Sequence, residues 1–221
     1  MLRYKIYVLF LFIIGICMMD FAFAETPDLP LLGKVIYIDA GHGGVDPGAM
    51  YKDIMEKDIN LSISKILEDK LSKAGAIVYL TRYGDYDLAV NNTINRKRSD
   101  LSRRGNIINR SGCDLFISIH LNAESTGIWK GPQVFYDDIN DKNEILAEIL
   151  QTNLNKNLKS NRKYKLTNDM YLQKRIKRPG VLIEVGFLSN ANDRYLLKKK
   201  EYQYRVSTII MNSIIDYFDQ I

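Results

Sequence analysis

Cysteine, histidine, tryptophan and proline are all scarce in this chain. Its 221 residues include two cysteines, two histidines, one tryptophan and five prolines. Cys17 falls in an apolar amino-terminal run, which leaves Cys113 alone and excludes a disulfide framework. Cys113 precedes an apolar strand and reads as a small buried residue. There is no proline- or serine-rich linker, no internal repeat and no low-complexity tract, so no second domain is announced. Strong charge is missing as well. The formal net charge of +5 is too small and too scattered to argue for nucleic acid, although it suits an anionic surface. The two local basic runs, Arg96 to Arg104 and Lys174 to Arg178, read as solvated surface. What is present is a hydrophobic fraction of 46% beside 26% charged residues, the balance of a globular protein with a real core.

The first residues stand apart. Arg3 and Lys5 give a positive start, Ile6 to Met19 run almost without polar side chains, and Ala22-Phe23-Ala24 places small residues two apart. That order predicts a secretory signal peptide over residues 1–24, cleaved after Ala24, and an exported domain over residues 25–221. The apolar run is short for a membrane-spanning helix, which needs roughly 20 residues. The competing reading keeps the same segment as a membrane anchor. Loss of Arg3, Lys5 and Asp20 lowers the net charge by one.

Along the rest of the chain, short apolar runs alternate with helical periodicity. Val35 to Ile38 reads as a strand running into the glycine loop Gly41-His42-Gly43-Gly44. From Glu56, the spacing of Ile59, Ile63, Ile66, Leu67 and Leu71 predicts a helix with one buried face, ended by Gly75. Strands are expected at Ala76–Leu80, Asp114–Ile119, Gly131–Tyr136 and Val181–Ile183. Further helices are expected at Leu101–Arg110, Glu144–Leu158 and from about Tyr202, the last with Val206, Ile209, Ile210, Ile214 and Phe218 inward. This alternation predicts an α/β fold, a three-layer sandwich whose mainly parallel central sheet is flanked by helices. Such sheets bind ligands at the carboxyl ends of their strands. His42, His120 and Glu184 all fall at such ends.

The two histidines carry the sharpest signal, since each follows an apolar strand in a small or polar setting. A catalytic zinc site needs three protein ligands and an open position. Two histidines supply two ligands, and a carboxylate must supply the third. On the residues alone Glu56, Asp39 and Asp46 all remain candidates. Glu184 differs from these because it ends a very apolar strand, where a carboxylate is costly unless it meets a cation or metal. The glycine loop is not followed by Gly-Lys-Ser/Thr and fits no dinucleotide-binding pattern.

The four segments Val35–Gly44, Glu56 with Asn60, Ser118–Ala123 and Val181–Asn190 occur in an order that resembles the N-acetylmuramoyl-L-alanine amidases of the AmiC/CwlD type, over about residues 34–220. Arg104 and Asn109 also match the helix before the second histidine in that family. The resemblance implies that His42, Glu56 and His120 hold one Zn²⁺ and that Glu184 is the catalytic carboxylate, with Asn122 and Arg104 at the substrate. A zinc ion so held lowers the pKa of its water to about 7 and polarises the amide carbonyl. Glu184, its pKa raised by apolar surroundings, is then expected to take the water proton and return it to the leaving alanine nitrogen. Two other readings compete: a zinc carboxypeptidase acting elsewhere on the peptide stem, and a wall-binding module without catalysis. Glu184 argues against the second, because a structural zinc site has four ligands and no spare base.

Few residues separate His120 from Met170, which leaves no room for the helical insert that blocks the site in division-type amidases. Gly131–Tyr136 resembles the compact spore-cortex members. The resemblance therefore implies peptidoglycan as substrate and a place at the cell wall or in the forespore intermembrane space. It also implies a deacetylase acting on the same pathway. With no wall-binding repeat read in the chain, an activating or targeting protein partner is a further expectation.

Overall fold

The computed structural model describes residues 3–12 and 29–221. Residues 3–12 are helical (α1) and exposed. Among the described residues no helix is long and apolar enough to cross a membrane. The expected cleavage point after Ala24 lies outside the described residues.

Six strands form the main sheet in the order β4-β1-β5-β8-β6-β7. They are β1 (Val35–Ala40), β4 (Ile77–Leu80), β5 (Leu115–Asn122), β6 (Gln133–Tyr136), β7 (Lys165–Leu166) and β8 (Gly180–Phe187). β4, β1, β5 and β8 are mutually parallel, β6 runs antiparallel to β8, and β7 is parallel to β6. A separate hairpin pairs β2 (Met50–Tyr51) with β3 (Ile54–Met55) just before α2 (Glu56–Lys73). The remaining helices are α3 (Arg96–Ser111), α4 (Lys142–Leu158), α5 (Ala191–Leu197) and α6 (Lys200–Gln220). The expected three-layer α/β sandwich is therefore what forms.

The period of two along each strand sorts side chains between the faces. Ile36 and Ile38, Ile117 and Ile119, and Val181 and Ile183 point one way, into a core completed by Ile63 and Leu67 of α2, Leu150 of α4 and Ile210 of α6. All eight of the named aliphatics from β5, β8 and the helices are 0% exposed, so the centre of this face excludes water. The opposite face is covered more thinly. Ile108 of α3 packs there with Cys113, Phe116, Leu172 and Ile176. Asp39, Ser118, His120 and Glu184 share this second face by parity, so the chemistry sits on the side with less cover.

Several boundaries differ from the sequence expectation. β5 and β8 do not stop short of His120 and Glu184 but continue to Asn122 and Phe187, because Leu121 and Val185 remain buried in the first core. α3 starts at Arg96, five residues before the first apolar position, where the Asn95 side chain accepts a hydrogen bond from the Arg98 amide at 3.1 Å. The polar run 96–100 carries no hydrophobic period to reveal it. α5 is a short helix capped by the Asn190 side chain, and it too lacks a readable period.

Phe116 of β5 pairs with Gly180 of β8, and a Cβ at Gly180 would fall within the Phe116 ring and against its carbonyl. Gly180→Ala is therefore expected to lower stability by about 1–3 kcal/mol through overpacking. A urea unfolding midpoint equal to wild type would show that β5 and β8 part without strain.

Candidate active site

His42 lies in the loop after β1, in the left-handed backbone region at φ 62. A non-glycine residue rarely adopts that conformation unless its surroundings impose it. They do so here through buried guanidinium groups. Arg104 donates from Nη2 to the His42 carbonyl at 2.7 Å and from Nη1 to the Ala40 carbonyl at 2.8 Å. Arg82 donates to the carbonyls of Ala40 at 2.9 Å and Gly41 at 3.0 Å. The loop that presents His42 is thus clamped from two sides.

Glu56 opens α2 and is 3% exposed. Its Oε2 accepts from the Ala49 amide at 2.8 Å, and its Oε1 accepts from the Leu121 amide at 2.9 Å and from Asn60 Nδ2 at 3.1 Å. The same Oε1 lies 3.3 Å from His42 Nε2 and 3.0 Å from His120 Nδ1. The imidazole centroids are 5.0 Å apart with the rings at 77°. One ligand atom each from His42, Glu56 and His120 falls within 4.8 Å of the others, so the three could hold a metal ion. The glycines nearby leave the space. A Cβ at Gly41 would collide with the His120 ring, and one at Gly48 would stand 2.7 Å from His42 Cδ2 and 2.5 Å from Glu56 Oε2.

The electrostatics follow from this convergence. Burial raises the Glu56 pKa, but hydrogen bonds and charge from His120 and His42 outweigh it and hold the carboxyl well below the usual range. Burial lowers the His42 pKa, and Glu56 and Asp46 reverse that and raise it. Glu184 stands opposite His120 in the parallel register of β5 and β8. Its Oε2 is buried without a hydrogen-bond partner. Burial pushes its pKa up to about 7, with the Glu56 charge adding and the two histidines opposing.

Asp46 and Asp39 separate cleanly. Asp46 Oδ2 meets His42 Nδ1 at 2.9 Å, on the ring edge away from Glu56, so it orients the imidazole rather than joining the three ligand atoms. Asp39 is 1% exposed and is taken up by Arg104, Thr81 and Ser118. A cavity of about 340 Å³ opens on the site between α3 and residues 170–173, lined by His42, His120 and Glu184 among others.

A model of the N-acetylmuramoyl-L-alanine amidase family matches residues 36–216. The chain belongs to that family. It is similar to the germination-specific N-acetylmuramoyl-L-alanine amidase of Bacillus subtilis, 43% identical over 196 residues that cover 87% of this chain and 83% of the relative. Among solved structures it resembles the CwlD amidase from Clostridioides difficile in complex with the GerS lipoprotein. That match has a TM-score of 0.82 at 36% identity and covers 86% of this chain and all of the other. An N-acetylmuramoyl-L-alanine amidase from Clostridium difficile matches with a TM-score of 0.75 at 29% identity, over 84% of this chain and 97% of the other. This amidase accordingly acts on peptidoglycan, at the bond between N-acetylmuramic acid and L-alanine. The family match decides against the carboxypeptidase and wall-binding readings.

One expectation needs correction. Arg104 sits in a basic run expected to be solvated surface. In the amidase it is 1% exposed, and its guanidinium is committed to Asp39 at 2.9 Å, Asp100 at 2.8 Å and the two loop carbonyls. Through the His42 carbonyl it holds the loop that presents this residue, and it also lines the cavity on the site. Asn122 ends β5 beyond an irregularity after His120, partly exposed, and its carbonyl accepts from the Leu188 amide at 2.8 Å. Its side chain is outside the lining of the cavity. Arg82 escaped the sequence reading entirely, since an arginine after a strand has no distinctive pattern.

Burial alone would raise the Asp39 pKa, but Arg104, His120 and the Ser118 hydroxyl bring it from 3.8 down to about 2. A group with a depressed folded pKa contributes stability above its unfolded pKa and loses it as pH falls through the folded value. The Asp39 contribution, on the order of 2 kcal/mol, is thus expected to be complete above pH 3.8 and lost on acidification through about pH 2. Asp39→Asn is expected to lack this pH-dependent part. Unfolding free energies measured for both proteins across that interval check it, and parallel curves would remove the ion pair from the stability account.

Proposed function

We propose that this amidase is zinc-dependent, that His42, Glu56 and His120 hold the metal, and that Glu184 moves the proton. The convergence of two imidazole nitrogens and a carboxylate oxygen carries the reading, because it is the donor set of a catalytic zinc site with a position left open. When bound, zinc supplies a Lewis acid that activates water and polarises the amide carbonyl. The rest falls to the protein. Asp46 holds the proton on His42 Nδ1, which leaves Nε2 as the ligand atom. Glu56, ionised throughout the working range, contributes the negative charge. Glu184 takes a proton from the attacking water and delivers it to the alanine nitrogen as the C–N bond breaks. A pKa near 7 suits both halves of that transfer. The products are a lactyl carboxylate on muramic acid and a peptide with a free amino terminus.

The same proposal puts the enzyme in spore-cortex maturation and germination. Support comes from the germination-specific relative and from the CwlD structure, whose partner is a lipoprotein. On this reading residues 25–221 form one exported catalytic domain behind a cleaved leader. A protein partner places or activates it, and a deacetylase acts on the stripped muramic acid.

Glu184→Gln is expected to fold, keep one zinc per chain and lose about 10²–10⁴-fold in turnover. His42→Ala and His120→Ala are expected to lose zinc itself. Metal content by elemental analysis beside turnover separates the roles, and equal metal loss in Glu184→Gln and His42→Ala would reverse the assignment. Mass spectrometry of digested peptidoglycan is expected to find peptides with amino-terminal L-alanine and intact glycan strands. Release of terminal D-alanine, or new reducing ends, would contradict the bond assignment.

A further inference from the structure

Gln173 has no part in the chemistry described so far, yet it lines the same cavity as His42, His120 and Glu184. It is 1% exposed, and neither its Nε2 nor its Oε1 has a hydrogen-bond partner. A buried carboxamide carries two donors and an acceptor, and leaving them unpaired is costly. The cavity mixes apolar side chains, Leu101, Met170, Leu172 and Leu182, with polar groups such as Asp100 and Glu184, yet none of them bonds to the Gln173 carboxamide.

Loose local structure does not explain the orphaned group. Gln173 begins a short 3-10 turn, Gln173–Arg175, whose backbone is fixed on both sides. Its own carbonyl accepts from the Ile176 amide at 3.0 Å. Asn109 of α3 grips the far end, donating to the Arg175 carbonyl at 2.6 Å and accepting from the Lys177 amide at 2.8 Å. Leu172 and Ile176, flanking the turn, are anchored in the second core. A leucine or methionine would fill this place without stranding any polar atom. Instead a glutamine stands on this fixed backbone, in the lining of the cavity that Glu184 shares, and the Glu184 Oε2 is unpaired as well. The missing partner therefore comes from outside the protein.

We infer that Gln173 contacts the substrate and sets specificity for it, its carboxamide pairing with secondary amide groups of the muramyl-peptide next to the scissile bond. The inference rests on the amidase activity. Around that bond the substrate is dense in secondary amides: the lactyl–alanine amide, the acetamido group of the sugar and the first peptide bonds. Each offers an N–H and a C=O, which a carboxamide can answer with its oxygen and its nitrogen. In the free enzyme the polar atoms of Gln173 are covered, so binding turns the side chain to another rotamer, a change common on association. A site built to hydrogen-bond its substrate also rejects analogues that leave it unpaired.

The test uses Gln173→Met, which keeps length and removes both polar atoms, and Gln173→Glu, which keeps shape and removes the donor. Both are made in the full chain and compared with wild type on soluble muramyl-peptides, with zinc content and thermal midpoint measured. Gln173→Met is expected to have a midpoint equal to or above wild type and unchanged zinc. Its kcat/KM should fall about tenfold, carried by KM, with kcat within about twofold. Gln173→Glu should also raise KM. An unchanged KM in both variants would overturn the inference, as would a fall in kcat alone, which would make Gln173 a positioner of Glu184. A lowered midpoint with unchanged KM would overturn it in favour of a structural role. Each of these leaves the amidase reading intact, whereas wild-type enzyme releasing no amino-terminal alanine would remove that reading itself.

Discussion

The buried guanidinium of Arg104 ties α3 to β1 and to the loop that presents His42. It reaches Asp100 one turn back on its own helix, Asp39 and the Ala40 carbonyl at the end of β1, and the His42 carbonyl in the loop beyond. A paired charge at 1% exposure is stable only while every partner stays in place, since one charge left alone in such a setting is strongly destabilising. The carbonyls it holds belong to a backbone that His42 would not otherwise adopt. The unusual conformation of a candidate ligand and the burial of an arginine are thus two sides of one arrangement.

Around that clamp the sheet is deliberately lopsided. Three long helices, α2, α4 and α6, close one face over a continuous aliphatic core, while α3 and a short turn cover only part of the other. The closed face supplies the burial that holds the domain together. The thinner face can then accept residues that contribute little to packing. Asp39, Ser118, His120 and Glu184 alternate with Ile38, Ile117, Ile119 and Ile183, so the strands that build the core also aim the polar groups.

Two carboxylates that share one site with the same imidazoles are driven in opposite directions. Glu56 gathers two amides, an asparagine and both histidines, and stays ionised. Glu184 has burial and a neighbouring negative charge, and rises to about 7. Environments that push two like groups apart separate a charge-holding role from a proton-moving one.

Much of this architecture is legible in local stretches of the chain. Period-two strands leading to His42, His120 and Glu184, with helical periods between them, were enough for the layer architecture, and the resemblance carried by the four ordered motifs implied the three residues that could hold a metal. These are local patterns, readable because neighbouring residues carry them. Other features depend on residues far apart in the chain. Without the resemblance Asp39, Asp46 and Glu56 are equivalent carboxylates, and the physical reason that separates them is tertiary: Arg104, 65 residues from Asp39, claims the first and His42 the second. The solvated reading of the basic run failed at Arg104 for the same reason. The antiparallel course of β6 depends on its pairing with β8, some 50 residues away in register at Gln133 and Glu184. Gln173 looks in sequence like any polar loop residue. Its meaning lies in the absence of partners, and an absence of partners exists only once every other side chain has been placed.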